Sequence, residues 1–148
     1  MSRAPVLAVV LALACSGADE RCDVAQLGKL AAPVGADDCG TQDPGGTDVD
    51  TCMAGHLRDG VPFVGVTQEA GVLDLVARSW VYDGTTVTLF LGRFTSCTSD
   101  GCLGEVEQLD CPAPVPTFDG DAGTITCTWP TAPCGPIVCG GDGDGCAI

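Results

Sequence analysis

The sequence predicts a small disulfide-rich α+β domain: one main helix packed on an antiparallel β-meander, followed by a loop-rich C-terminal third. Three observations carry this reading. An apolar stripe recurs at helical spacing over residues 47–60, three segments rich in β-branched and aromatic residues follow it, and eleven cysteines are spread through a chain of only 148 residues.

The helix is the clearest element. Thr47 with Asp50 three residues later has the form of a capping box, although the box prefers Glu or Gln at the second position. Val49, Cys52, Met53, His56 and Leu57 then fall at i, i+3, i+4, i+7 and i+8, and Gly60 supplies a stop. Upstream, residues 22–46 read as loop. Val24, Leu27 and Leu30 have the spacing of one or two helical turns, but Gly28 and Pro33 weigh against a helix there.

The strands of the meander are expected at 62–67, 72–81 and 85–94. A two-residue Asp83-Gly84 turn would pair Ala77 with Phe90 and mix the two faces. A three-residue loop over Tyr82, Asp83 and Gly84 pairs Ala77 with Leu89 and Leu75 with Leu91, and is preferred. It gathers Leu75, Ala77, Val81, Val87, Leu89 and Leu91 under the helix. The other face then carries Val76, Arg78, Trp80, Thr88 and Phe90, of which Val76, Trp80 and Phe90 form a candidate binding patch. The alternative is that the C-terminal third folds back over this face, which is favoured because that segment must pack somewhere. Within that third, short strands are expected at 104–109 and 124–129. Pro112, Pro114, Pro116, Pro130, Pro133 and Pro136 break up the remainder, and the Gly-Asp tail after residue 139 has flexible composition.

The chain fits one domain, 22–148, preceded by a leader and a tether. Six Lys plus Arg against 20 Asp plus Glu give a formal charge of −14, which disfavours nucleic acid as a partner. Residues 1–14 have the parts of an export signal: Arg3, an apolar run over 4–14, and small residues before Cys15. At 11 residues the run is too short for a span, which needs about 20.

Residues Leu11-Ala12-Leu13-Ala14-Cys15 resemble the lipobox of bacterial lipoproteins, whose cysteine receives a diacylglyceryl group and becomes the mature N-terminus. The usual Leu three places before the cysteine is here Ala12, and Ala12-Leu13-Ala14 also satisfies an ordinary secretory cleavage site. Cysteine parity favours lipidation. With Cys15 modified, ten cysteines remain (Cys22, Cys39, Cys52, Cys97, Cys102, Cys111, Cys127, Cys134, Cys139 and Cys146), and all can pair. Residues 15–21 would then be a lipidated tether. The expected location is the cell envelope, with the outer membrane favoured because Ser16 is not an inner-membrane retention signal in enteric bacteria; plain secretion is the alternative.

Ten cysteines in an exported chain read as about five disulfides. Zinc is the rival reading, and the spacing argues against it: there is no Cys-x-x-Cys pair, and His56 is the only histidine. Cys97 and Cys102 flank a short turn and are a candidate local pair.

The spacing of Asp38-Cys39-Gly40, Cys52, Gly60-Val61-Pro62-Phe63 and Tyr82-Asp83-Gly84 resembles a group of uncharacterised cysteine-rich lipoproteins of myxobacteria, over about residues 35–97. The resemblance implies an envelope location and no chemistry.

No catalytic constellation stands out. His56 is the only candidate base, but it lies on the apolar stripe, where a structural role is commoner. Glu69, Glu105 and Glu107 sit in or beside expected strands without a spacing that pairs them. Asp119-Gly120-Asp121 and Asp142-Gly143-Asp144 place oxygens two apart on flexible backbone, as calcium loops do, although neither has the later bidentate Glu. Asp119, Asp121, Asp142 and Asp144 are therefore candidate calcium ligands; no other cofactor is expected. The chain reads as a non-enzymatic, membrane-anchored binding or structural module for a protein or glycan partner. The alternatives are an inhibitor of exported hydrolases, by analogy with cystatin-like architecture, and a calcium-binding surface module.

Overall fold

The computed structural model describes residues 22–72, 74–98, 101–128 and 130–139. Cys15, the leader, Asp142, Asp144 and Cys146 lie outside the described residues. The elements run α1 (Val24–Ala31), β1 (Asp37–Gln42), α2 (Asp48–Asp59), β2 (Phe63–Ala70), β3 (Leu75–Tyr82), β4 (Val87–Thr98), β5 (Gly101–Cys111), β6 (Ala113–Asp119), β7 (Ala122–Thr128) and β8 (Ile137–Cys139). One sheet has the order β1-β2-β3-β4-β5-β8, and β6 and β7 form a separate hairpin. The fold is α+β as expected, but richer in sheet, and it has a second helix.

The segment over residues 24–31, expected to be loop, is α1. The Asp23 carboxylate caps it by accepting the Gln26 N–H at 3.0 Å. Gly28, which reads as a breaker, is the docking point. A Cβ there would collide with Ser79 Oγ, so its absence lets α1 lie directly on β3. Pro33 then prevents the helix from continuing.

The predicted helix is α2. Gly60 closes it in the left-handed conformation at φ 70°, with the Gly60 N–H on Leu57 O at 3.3 Å and the Val61 N–H on His56 O at 2.9 Å. Its start differs from the expected capping box, because Thr47 makes no side-chain cap bond. The cap comes from β1 instead. Gln42 Oε1 accepts the N–H groups of Val49 (2.9 Å) and Asp50 (3.2 Å), while Gln42 Nε2 donates to the Asp50 carboxylate at 2.8 Å.

The two helices cover opposite faces of the sheet. Val24 and Leu27 of α1 pack with Val64, Ala77, Val81, Phe90, Phe94 and Val106. Val49 and Met53 of α2 pack with Phe63, Tyr82, Val87 and Cys111 on the other face. β1 joins the edge in parallel to β2, with α2 as the crossover, whereas β2 through β5 and β8 are antiparallel.

The β3–β4 register corrects the preferred hairpin. Tyr82 pairs with Val87, Ser79 with Phe90 and Ala77 with Gly92, so the loop has four residues, 83–86. Asp83 closes it by accepting the N–H groups of Thr85 (2.7 Å) and Thr86 (2.8 Å) on Oδ1. The expected single face of Leu75, Ala77, Val81, Val87, Leu89 and Leu91 is therefore divided. Ala77 and Val81 lie under α1, while Val87, Leu89 and Leu91 share the opposite face with Trp80 and Tyr82.

The C-terminal third is strand rather than loop. Pro114 and Pro116 sit two apart in β6, opposite Cys127 and Ile125. The two-residue turn at Gly120-Asp121 makes Asp119 and Ala122 a hydrogen-bonded pair, which places both prolines at positions facing away from β7. This hairpin covers α2: the Gly123 N–H donates to Thr51 Oγ1 at 3.0 Å, and the Arg58 guanidinium lies 5.3 Å from the Phe118 ring centroid.

Three disulfides staple these layers: Cys22–Cys139, Cys39–Cys52 and Cys111–Cys127. Cys134 is also disulfide-bonded. Cys97 stands across from Cys102 in the β4–β5 ladder; their side chains lie outside the described set.

Candidate functional site

Among the described residues, the one group of His, Cys, Asp and Glu side chains close enough to hold a metal lies where β1 meets α2. β1 carries a bulge in which Cys39 and Gly40 stand where the partner strand has one residue, since Asp38 pairs with Val64 and Thr41 with Val66. Gly40 has φ 84°, and its N–H donates to Asp38 Oδ1 at 2.8 Å. This local geometry explains the Asp38-Cys39-Gly40 sequence: the bulge re-aims Cys39 at α2, where it bonds to Cys52 with a Cα–Cα separation of 5.8 Å.

His56 follows Cys52 by one helical turn and so stands on the same face. Cys39 Sγ, Cys52 Sγ and a His56 ring nitrogen all lie within 4.8 Å of one another. His56 Nε2 is 3.7 Å from Asp37 Oδ2, and its ring stacks 6.4 Å from Phe63 between centroids. The histidine side chain is 28% exposed, so it is not sealed in the core. Sequence reasoning set zinc aside because it looked for ligand pairs close in the chain. The signal that could have found this cluster is Cys52-x-x-x-His56 on a helix, with a third ligand delivered from the preceding strand.

The candidate binding patch is not brought together. Phe90 is 1% exposed beneath α1, on the face opposite Val76 and Trp80. Trp80 packs at the margin of the α2 cluster beside residues of the β6–β7 hairpin, and its indole N–H donates to Thr67 Oγ1 at 3.3 Å. The C-terminal third thus covers this end of the sheet. Further along the same face stand ion pairs, Arg78 with Glu69 at 3.1 Å and Arg93 with both Glu105 and Glu107 at 3.6 Å. The three glutamates singled out in the sequence are partners of arginines here.

Asp119 and Asp121 lie at the tip of the β6–β7 hairpin, where Gly120 takes φ 60° as a two-residue turn requires. Both carboxylates are exposed. The other two candidate calcium ligands, Asp142 and Asp144, lie outside the described residues.

No helix among the described residues is long and apolar enough to cross a membrane. Comparison with protein-family models, characterised proteins and solved structures finds no match to this chain.

Proposed function

We propose that the chain is an exported lipoprotein, anchored in the cell envelope through Cys15, whose disulfide-stapled domain serves as a binding or structural module without catalytic activity. The observation that carries the reading is the Cys22–Cys139 bond. It joins the first described residue to the end of the last strand across 117 positions. A domain stapled between its first described residue and its last described strand belongs in an oxidising compartment. It also lies close to its anchor. Cys22 stands seven positions after Cys15, so a fully extended tether reaches only about 25 Å. The resemblance to cysteine-rich envelope lipoproteins supports the same location.

Mass spectrometry of the mature N-terminus from the membrane fraction tests this. The expected species begins at Cys15 with a thioether-linked diacylglyceryl group, and Cys15→Ser moves the folded domain to the soluble exported fraction. An unmodified Cys15 would exclude the lipid anchor; free thiols at Cys22 and Cys139 in the exported protein would exclude the stapled module.

A further inference from the structure

We propose that Cys39, Cys52 and His56 form a zinc site that becomes available when a dithiol reductant opens the Cys39–Cys52 bond, with Asp37 as the carboxylate that orients the imidazole. The reading stands on the β1–α2 geometry and is independent of the lipid on Cys15.

The ligand set is the first support. Two thiolates and an imidazole select zinc over calcium or magnesium, and tetrahedral zinc takes Zn–S bonds of about 2.3 Å and Zn–N bonds of about 2.0–2.1 Å. Those lengths imply ligand–ligand separations of about 3.5–3.8 Å. The three donor atoms already lie within 4.8 Å of one another, so side-chain rotation of a released thiol suffices to close the set. Three protein ligands leave the fourth position to water. With Nδ1 as the zinc ligand, Asp37 Oδ2, 3.7 Å from His56 Nε2, is placed to fix the histidine's tautomer and orientation.

The second support is that, of the three located disulfides, this is the one with neither half buried. Exchange requires a thiolate to reach a sulfur. Cys111 is 0% exposed and Cys139 is 4% exposed, so each of the other two located disulfides has a buried half. Both Cys39 and Cys52 are partly exposed. Opening the bond also leaves its ends in place. β1 remains held by its ladder to β2 and by the Gln42 bonds to the start of α2, and the bond spans only 13 positions. The chemistry balances: the S–S bond is reduced to two thiols as the dithiol is oxidised to its own disulfide, and zinc binding releases both thiol protons.

The test uses the full chain, oxidised and then treated with limiting dithiothreitol that is removed by gel filtration under argon. Differential alkylation should show Cys39–Cys52 opening first. Cobalt should then bind at one equivalent with thiolate-to-metal charge-transfer absorption, and zinc should displace it; the oxidised chain should bind neither. Asp37→Asn should weaken zinc binding about 10–100-fold, and His56→Ala by more than that second-shell range. Because His56 packs against Phe63, Cys39→Ala provides a second ligand deletion at a partly exposed position outside the helix, with the same expected loss. Equal zinc binding by the oxidised chain, earlier opening of Cys111–Cys127, or unchanged affinity in either ligand deletion would overturn the proposal.

Discussion

Replacing Gln42 by Ala removes the only side-chain cap found at the N-terminus of α2 among the described residues. Thr47 makes no cap bond, so the N–H groups of Val49 and Asp50 lose their acceptor together. Val49 is 6% exposed, and water replaces that partner poorly. Loss of a cap costs about 0.5–2 kcal/mol, and a buried donor left unpaired about 1–3 kcal/mol. The two overlap, so the expected loss is about 2–3 kcal/mol, or roughly 6–15 °C in Tm for a domain of this size. Gln42→Glu separates the parts. It keeps an acceptor for both N–H groups but places a carboxylate where Nε2 now stands 2.8 Å from the Asp50 carboxylate. The like charges repel across that contact until one of them is protonated. The variant should therefore be less stable than the parent at neutral pH and should recover as pH falls toward about 4. Urea denaturation with the disulfides intact measures both, and amide exchange at Val49 and Asp50 reports fraying directly. A Gln42→Ala variant within about 0.5 kcal/mol of the parent, or exchange at those amides unchanged, would refute the clamp.

Three further outcomes are expected. Joint replacement of Cys22 and Cys139 by Ser releases a 117-residue loop and should cost about 4–5 kcal/mol, against about 3 kcal/mol for the 13-residue Cys39–Cys52 loop, in denaturant titrations. Ser79 is fully buried, and its hydroxyl has no hydrogen-bond partner among the described residues, so Ser79→Ala should be neutral or up to about 1 kcal/mol stabilising by calorimetry. The N–H groups of Thr86 and Thr85 hold the Asp83 carboxyl below its ordinary value of 3.8. Its contribution is thus present above that value and lost as pH falls through the lower folded-state value. Asp83→Asn should flatten that part of the acid limb in a stability–pH series, by a small amount because the carboxylate is exposed.

How legible the molecule was depended on the range of the signal. α2 could be read because its stripe and Gly60 are local features of one turn and the next. α1 could not, since the same Gly28 that lowers helix propensity is required by the close approach to Ser79. The β3–β4 register was misread because the loop is closed by Asp83 side-chain bonds to Thr85 and Thr86, which lengthen it to four residues. That change moved Phe90 to the face away from Trp80 and divided the expected patch. In β6, the prolines pointed away from strand structure until the hairpin placed them at outward-facing positions.

Sequence alone determined the acidic balance, the cysteine richness, the main helix and the existence of the central strands, because composition and short-range periodicity set these directly. Tertiary structure decided the rest: which cysteines join, which face each strand presents, and that Cys39, Cys52 and His56 converge beside Asp37. The physical reason is that pairing and convergence depend on how a bulged strand, a crossover helix and a folded-back hairpin stack in space. Residues 13 or 117 positions apart become neighbours only when those layers close.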